Sequence, residues 1–418
     1  MLLEFKCSNH MSIKDKVTFS MLAGYDHTNE ELLKSIGNER VLRSAIIYGP
    51  NGSGKTNFLD ALAFVKKMVS NSINNQPGDD VLQEPHLLSS ADMPSKYEIQ
   101  FIKKDIRYAY GFSIVKNEVD EEYLYIFPKG RLTKVFERKG LIIYPGDKYK
   151  NKFGLSKEAL KNNRLFLSCV ANYTNDKLIE EGFKFFSKDL VLYNPEHNNW
   201  MKYSIKQLEK NGKIKKIFME FMDALGTGIK DVKAKVEYLS MDNMDIPEGL
   251  KEFLQSAIDK SDSESSTKLA NPELKVIYDE FPIDIKYEST GIKKLFEVLC
   301  PMIDILLSGK ILICDELEKS LHESLLYKIV DIFHKNYIEE FAQLIFTTHD
   351  TSLLDSDLFR RDQIWFTQLK KGRVTDLYSL AEIKNVRKTE NLAKGYIQGK
   401  YGAIPLLNNN IEKFFKDK

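Results

Sequence analysis

The sequence predicts an α/β fold whose core is a doubly wound, mostly parallel β-sheet. Three short apolar runs are each followed by polar residues, as buried parallel strands are: residues 43–48, 311–314 and 344–347. After the first run the apolar spacing becomes helical, with Phe58, Leu62, Val65 and Val69 on one face. Helices placed between buried strands indicate an α/β core with helices packed on the sheet.

An antiparallel lobe is predicted before and after this first helix. Residues 2–5 and 16–22 have the composition of two strands that flank a short turn. Four alternating segments then follow, separated by turn residues, at 97–102, 108–115, 122–127 and 134–137. The stretch from about 150 to 280 differs, because it is rich in Lys and Glu and mostly helical in pattern. We interpret it as a helical insertion.

Composition excludes several classes of protein. The 418 residues are enough for two or three domains, and the net charge of +1 favours neither a nucleic acid nor a membrane as a partner of the whole chain. The four cysteines are far apart and form no Cys-x-x-Cys pair, which is typical of a reducing, cytoplasmic environment. The most apolar stretch, residues 295–314, is interrupted by Glu297, Asp304 and Lys310, so no membrane span is predicted.

The strongest motif is a glycine-rich loop between the first buried strand and the helix. Residues 49–56 match G-x-x-x-x-G-K-[ST] and are Gly49, Pro50, Asn51, Gly52, Ser53, Gly54, Lys55 and Thr56. Glycines let backbone N–H groups converge on phosphate oxygens, and the following helix presents its positive N-terminus. In this motif Lys55 reaches the β- and γ-phosphates and the Thr56 hydroxyl binds Mg²⁺.

Two later strands also end in residues that fit phosphate chemistry. Asp315 and Glu316 follow the strand at 311–314, which places them at the carboxyl edge where ligands bind in open α/β sheets. There Asp315 can bind the Mg²⁺ and Glu316 can polarise the attacking water. His349 follows the strand at 344–347. A single histidine at a strand end is more often a structural hydrogen-bonding group than a catalytic one.

The order of these motifs resembles that of ABC-type ATPases. The separation of about 260 residues between Lys55 and Asp315 is similar to the SMC and RecF branch of that superfamily. Two further segments resemble bacterial ATPases of the overcoming-lysogenization-defect and abortive-infection (RloA-like) group. They are Glu288-Ser-Thr-Gly291 and residues 395–405, Gly-Tyr-Ile-Gln-Gly-Lys-Tyr-Gly-Ala-Ile-Pro. The resemblance covers roughly half of the chain, at its two ends.

The resemblance implies an ABC-type P-loop NTPase head that binds ATP and Mg²⁺ and hydrolyses ATP. Together with the helical insertion inferred from composition, which resembles no known family, this resemblance divides the chain into an N-terminal ATPase lobe (1–150), the insertion (151–280) and a C-terminal ATPase lobe (281–418). It also implies a homodimer or larger homo-oligomer that sandwiches ATP between two heads. Ser289 and Gly291 match the signature segment that contacts the γ-phosphate of the other head, although the sequence Leu-Ser-Gly-Gly-Gln is absent. His349 matches the switch histidine.

Three functions compete at this stage. The first is an ATP-dependent regulator in bacterial anti-phage defence that works with a separately encoded effector, such as a nuclease or a toxin. The second is a RecF-like ATPase of DNA repair or chromosome maintenance that binds DNA directly. The six lysines in residues 202–216 could contact nucleic acid, but the interleaved apolar residues are more typical of a solvated helix face. The third, a transporter-coupled ABC subunit, is disfavoured by the signature and by the split layout.

Overall fold

The computed structural model describes residues 1–37, 39–194, 200–240, 268–279, 281–335, 340–355, 357–387 and 390–405. The chain forms two compact units, one made of Met1–Glu196 with Leu306–Lys418 and the other of His197–Ile305. The strands of the described residues are, in chain order, β1 (Leu2–Ser8), β2 (Val17–Ser20), β3 (Leu33–Ile36), β4 (Glu39–Leu42), β5 (Ser44–Tyr48), β6 (Ser95–Lys103), β7 (Ile106–Val115), β8 (Glu118–Phe127), β9 (Thr133–Lys139), β10 (Ile142–Pro145), β11 (Leu190–Tyr193), β12 (Asp231–Ser240), β13 (Lys268–Ile277), β14 (Pro282–Asp284), β15 (Ile311–Cys314), β16 (Gln343–Thr347), β17 (Ile364–Lys370) and β18 (Val374–Ser379).

The α-helices of the same residues are α1 (Lys55–Asn71), α2 (Gly154–Glu158), α3 (Phe166–Tyr173), α4 (Lys177–Lys184), α5 (Met201–Glu209), α6 (Lys213–Ala224), α7 (Thr290–Ser308), α8 (Glu323–His334) and α9 (Leu392–Ile397). None of these helices has both the length and the apolar character that a membrane crossing requires.

The first unit is built on a six-stranded, mostly parallel sheet with the order β11-β15-β16-β5-β17-β18. All its strand pairs are parallel except β17 with β18. Strand β16 lies between β5 and β15, and these three strands are buried along their whole length. The predicted α/β core with a mostly parallel sheet is therefore confirmed, and the carboxyl ends of β5, β15 and β16 meet at one edge of the sheet.

A seven-stranded antiparallel sheet with the order β10-β9-β8-β7-β6-β1-β2 forms the predicted lobe of the same unit. Helix α1 packs against it through the apolar face predicted from the sequence. The ring of Phe58 lies 5.8 Å from that of Phe5 on β1 and 5.3 Å from that of Phe19 on β2. One continuous core therefore joins this sheet to the helix that follows the glycine-rich loop.

The domain boundaries proposed from the sequence, after residues 150 and 280, differ from those of the two observed units. Residues 151–194 belong to the first unit, because their apolar side chains complete its core. Phe166 on α3 lies edge-on to Phe136 on β9 with ring centroids 4.9 Å apart, and β11 joins the central sheet. The buried aromatic residues of this stretch, and not its high content of lysine and glutamate, determine that it packs into the first unit.

The second unit is not only helical, since it contains the three-stranded antiparallel sheet β12-β13-β14. Val232, Leu274 and Val276 are buried in this unit, whereas Lys233 and Glu273 are exposed. This alternation has the period of a strand. Because lysines are frequent in this region, the alternation was not recognised, and the region was predicted to be mostly helical.

Candidate functional site

The glycine-rich loop connects β5 to α1 at the carboxyl edge of the central sheet. Two of its glycines leave no room for a side chain. A Cβ atom at Gly49 would lie 2.3 Å from Thr367 Oγ1, and one at Gly54, where φ is +99°, would lie 2.1 Å from Thr375 Oγ1. The backbone of the loop can therefore approach its neighbours, and an anion, more closely than any other residue type would allow.

Hydroxyl groups outside the motif fix the loop in position. Ser53 Oγ lies 2.6 Å from Thr367 Oγ1, and Thr375 Oγ1 donates a hydrogen bond of 3.0 Å to Ser53 O. Ser12 Oγ lies 2.7 Å from Thr375 Oγ1 and accepts a hydrogen bond of 2.7 Å from Asn57 Nδ2. The loop is therefore anchored by β17, β18 and the turn after β1.

Lys55 at the start of α1 is nearly buried, with 6% of its surface exposed. Its ammonium group donates hydrogen bonds to Gly49 O at 2.9 Å and to Pro50 O at 3.4 Å. Burial lowers the pKa of Lys55, against the attraction of Glu316 and Asp315. A cation that has lost much of its hydration is stabilised by an anion placed next to it, so this site favours a phosphate group.

Asp315, after β15, connects the start of α1 with the end of β16. Thr56 Oγ1 donates to Asp315 Oδ2 at 2.8 Å, and Thr347 Oγ1 donates to Asp315 Oδ1 at 2.6 Å. Thr347 Oγ1 also accepts a hydrogen bond of 2.8 Å from Glu316 N. A threonine hydroxyl beside one carboxylate suits Mg²⁺, which is usually bound by one or two carboxylates with phosphate oxygens and water. The described residues hold no separate cluster of three or more His, Cys, Asp or Glu that could bind a metal.

Glu316 and His349 lie side by side at the same edge. Glu316 has φ +46° and ψ +59°, a left-handed conformation that is costly for a residue with a Cβ and typical of functional sites. Its carboxylate contacts the Lys319 ammonium, and its Oε1 lies 3.6 Å from His349 Nε2. Burial and the nearby Lys55 lower the pKa of His349. A carboxylate beside a neutral imidazole, both partly exposed, can accept a proton from water.

The model of the family described as "AAA domain, putative AbiEii toxin, Type IV TA system" matches residues 44–143 and 245–355, just over half of the chain. The chain belongs to this family. No curated protein sequence matches it.

Among solved structures, this AAA-family chain is similar to heads of SMC proteins. The SMC head bound to the C-terminal winged-helix domain of ScpA has a TM-score of 0.43 at 13% identity, over 90% of this chain and 97% of that one. The SMC head domain from Thermotoga maritima has a TM-score of 0.41 at 12% identity, over 90% and 98%. The Smc head with an extended coiled coil, bound to the C-terminal domain of ScpA from Pyrococcus furiosus, has a TM-score of 0.39 at 14% identity, over 90% and 96%.

The remaining candidates from the sequence, Ser289 and Gly291, belong to the second unit. Both are exposed at the start of α7. Ser289 Oγ accepts a hydrogen bond of 3.3 Å from Ile292 N, so the hydroxyl caps the first turn of this helix. In this AAA-family chain the segment therefore presents a hydroxyl and a helix N-terminus to solvent, a combination that suits an anion supplied by another molecule.

Two kinds of site residue were missed in the sequence. Thr347 lies within a strand end that was recognised, but no role was assigned to it. Glu318, which accepts a hydrogen bond of 2.7 Å from His349 N, lies two residues after Glu316 and is likewise new. Thr367 and Thr375 have no local motif, because they come from two strands that reach the loop only through the sheet order. They could have been found only with knowledge of the strand order in the sheet.

Proposed function

We propose that this AAA-family chain binds ATP with Mg²⁺ and hydrolyses it. The observation that carries the proposal is the hydrogen-bonded link from Thr56 through Asp315 to Thr347, because it joins the glycine-rich loop to both polar strand ends. Residues 259 positions apart in the chain thus form one group of oxygen atoms next to the buried Lys55. A structural serine–threonine network alone would not need a buried cation beside it.

In this proposal the triphosphate lies along the loop formed by residues 49–56. Lys55 binds the β- and γ-phosphates, and Thr56 with Asp315 holds the Mg²⁺, which neutralises charge on the phosphate oxygens when it is bound. A cavity of about 560 Å³ lies beside Ser12 and Asn57, two of the residues that anchor the loop, and is partly lined by Met11 and Leu88. This mostly apolar space suits the flat face of a purine base.

Hydrolysis is assigned to the neighbouring carboxylate and imidazole. Glu316 takes the proton of the attacking water. Thr347 holds the backbone of Glu316 through its N–H group. His349 is held through its own N–H by Glu318 and, as a neutral imidazole, contacts the γ-phosphate.

The experiment that tests the proposal compares Glu316→Gln with the wild type in ATP binding and turnover. The amide fits the same space but cannot take a proton, so turnover should fall by about 10²–10⁴-fold while ATP affinity stays within a few fold. Glu323→Gln, an exposed glutamate at the start of α8, is the matched control and should behave as the wild type. Absence of ATP binding by the wild-type protein, or full turnover by Glu316→Gln, contradicts the proposal.

We further propose that ATP turnover operates a switch in bacterial anti-phage defence. Two copies of the chain sandwich ATP, with Ser289 and Gly291 of each copy at the γ-phosphate of the other, and the nucleotide state controls a separately encoded effector. The family description names a toxin–antitoxin system, which supports a role in defence. The segments Glu288-Ser-Thr-Gly291 and 395–405, which resemble RloA-like proteins, support the defence role.

The defence role predicts a specific partner and no effector chemistry in this chain. The product of the adjacent gene should co-purify with the chain, and Glu316→Gln should change the amount retained, because it traps the ATP-bound state. The purified chain alone should cleave neither DNA nor RNA. Metal-dependent cleavage that is lost on substitutions outside the ATP site would contradict this role.

A RecF-like function that binds DNA directly has one supporting observation. Five exposed lysines lie on α5, between α5 and α6, and on α6: Lys202, Lys206, Lys210, Lys213 and Lys216. Fluorescence anisotropy with duplex DNA tests it, with Lys202→Glu/Lys206→Glu/Lys210→Glu as the variant and added salt as the second probe. Binding that falls steeply with salt and is lost in the variant favours the RecF-like function. Absence of binding in the wild type rejects it.

A further inference from the structure

A cavity of about 850 Å³ lies against the glycine-rich loop in the first unit, and the C-terminal segment of the chain forms its far side. The near side includes Gly49, Asn51 and His349. The far side is the tail wall, which we define as residues 399–405. The motif Gly-Tyr-…-Tyr-Gly-Ala-Ile-Pro, which has no chemical role predicted from its residues, is therefore a boundary of the space in front of the loop.

Tyrosine hydroxyls hold the tail wall in one conformation. Tyr396 OH donates a buried hydrogen bond of 2.9 Å to Ala403 O, and Tyr378 OH donates one of 2.8 Å to Tyr401 O. Ala403 has φ +53°, a left-handed conformation that alanine rarely adopts without such support. Gly395 is equally constrained, because a Cβ there would lie 2.4 Å from Tyr401 OH. The wall is thus a built element and not a chance coil.

The same tyrosine connects the wall to the site. The centroid of the Tyr396 ring lies 5.5 Å from that of Tyr48. It lies 5.6 Å from that of Phe366, on which the Tyr396 ring stacks. Tyr48 immediately precedes Gly49, and its hydroxyl donates a hydrogen bond of 2.8 Å to Asp350 O, next to His349. Tyr396 therefore touches the tail wall and the strand that carries the loop, and Tyr48 extends this contact to the histidine.

Charge is distributed unequally across the cavity. The near side has the Lys55 ammonium behind it and the imidazole of His349 beside it. The lining residues of the tail wall are Gly399, Gly402, Ala403, Ile404 and Pro405, none of which has a charged side chain. The negative charge of a ligand in this space would be balanced by groups on the loop side. The tail wall would exclude water and offer only backbone groups for hydrogen bonds.

We propose that the tail wall closes over the terminal phosphates of a nucleoside triphosphate bound to the loop, and that Tyr396 is the positioning residue that holds it there. This inference rests on the proposed ATP site and adds a regulatory element to it. ATP stabilises the closed wall, and loss of the γ-phosphate releases it, so the C-terminal segment reports the nucleotide state.

Hydrogen exchange of the full chain tests this directly. Glu316→Gln protein is measured alone, with Mg²⁺·ATP and with Mg²⁺·ADP, after binding of both nucleotides has been measured by calorimetry. Amides of residues 396–405 should exchange about 3- to 100-fold more slowly with saturating ATP, and less so with ADP. The measurement is repeated in Glu316→Gln/Ser289→Arg, where protection must persist if the wall closes within one chain. Protection seen only with Ser289 intact overturns the inference in favour of a contact between two copies.

Tyr396→Phe is the decisive variant, because it keeps the ring and removes the hydrogen bond to Ala403. Exchange of residues 399–405 should become faster without nucleotide, and the KM for ATP should rise roughly two- to tenfold, the worth of one ordinary hydrogen bond. Tyr378→Phe should act in the same direction, and Tyr144→Phe, on the exposed β10, should have no effect. If ATP binds but neither variant nor nucleotide alters the tail, the inference is wrong and the ATP site stands. If ATP does not bind at all, the proposed function fails and the inference fails with it.

Discussion

Thr347 shows how one buried hydroxyl can organise a site. It donates to Asp315 and accepts from the backbone of Glu316, so it holds the carboxylate of Asp315 and the backbone of Glu316. Thr347→Val keeps the shape of the side chain and removes both hydrogen bonds. We expect kcat for ATP to fall by about 10- to 100-fold, as is common when a group behind a metal ligand is lost, and the Mg²⁺ requirement to rise. Steady-state kinetics over a range of Mg²⁺ concentrations would measure both.

Thr347→Ser is the matched variant, because it retains the hydroxyl and loses only a methyl group. It should recover most of the activity. If Thr347→Val turns over ATP at the wild-type rate and at the wild-type Mg²⁺ concentration, the hydroxyl has only a structural role. The sequence could not assign this role, since any polar residue can follow a buried strand and only the sheet order places Thr347 beside Asp315.

A second buried residue makes the stability of the chain depend on pH. His334 Nε2 lies 2.5 Å from Ser44 Oγ, and burial lowers the pKa of His334 to about 4, from 6.5. Between these values the unfolded chain binds a proton that the folded chain does not. The free energy of unfolding should therefore fall as the pH is lowered from 6.5 to 4, by about 3 kcal/mol from this group alone.

Urea unfolding of the wild type and of His334→Gln at several pH values measures this dependence. The difference in unfolding free energy between the two proteins should change across the window from pH 6.5 to 4, whatever its absolute value. His27→Gln, which replaces an exposed histidine, serves as the control and should follow the wild type. If the free energy of unfolding of the wild type and of His334→Gln changed with pH in the same way, the buried ring would take up its proton without a cost in stability.

At the scale of elements, local patterns predicted the site-bearing strands and failed where contacts are distant. The segment from β5 through the loop to α1 was predicted because the glycines, the apolar run and the helical spacing are all local. Strand β11 was missed because its pairing partner, β15, lies more than 100 positions later. Strands β12 and β13 were missed because lysines occupy the exposed face of their alternation.

The antiparallel sheet is tied to α3 by one buried acid. The carboxylate of Glu122 accepts hydrogen bonds from Phe166 N at 2.6 Å and Leu167 N at 2.9 Å, at the start of α3, and pairs with Arg138 at 3.2 Å. Both charged side chains are fully buried. Glu122→Ala leaves the guanidinium and the helix N-terminus without this partner, so the free energy of unfolding should fall by about 3–5 kcal/mol.

The neighbouring Glu121 provides the control for this experiment. Its carboxylate is half exposed and lies 3.9 Å from Lys139, and exposed pairs of this kind contribute about 0–1 kcal/mol. Chemical denaturation of Glu121→Ala and Glu122→Ala should therefore separate the two by several kcal/mol. Equal stabilities would mean that residues 151–194 are joined to the first unit by their apolar core alone.

At the scale of the whole molecule, the first unit is assembled from both ends of the chain. Its loop comes from the first 196 residues and its acidic strand from residues after 305, with the second unit between them. The family model matches two separate segments, 44–143 and 245–355, so the second segment begins within the second unit and continues into the first. Ser289 and Asp315 thus belong to different units although they are close in sequence.

The last prediction is that ATP joins two copies of the chain. Ser289 caps a helix whose N-terminus is exposed, and a helix N-terminus suits an anion such as a γ-phosphate bound to Lys55 of another copy. Each charge-assisted hydrogen bond across such an interface is worth about 1.5–3 kcal/mol, so two symmetric sites can shift association by several orders of magnitude. Ser289→Arg should therefore abolish turnover while leaving ATP binding nearly intact.

Mixing variants distinguishes this arrangement from a site within one copy. Ser289→Arg and Lys55→Ala should each be inactive alone, because both sites of either homodimer carry a defect. In a mixed dimer one site combines Lys55 of the first protein with Ser289 of the second and is intact, while the other site carries both defects. Turnover should therefore return on mixing, up to about half of the wild-type rate per mixed dimer if the two sites act independently. If mixing restores nothing, or if Ser289→Arg alone hydrolyses ATP normally, the nucleotide is not shared between two copies at Ser289.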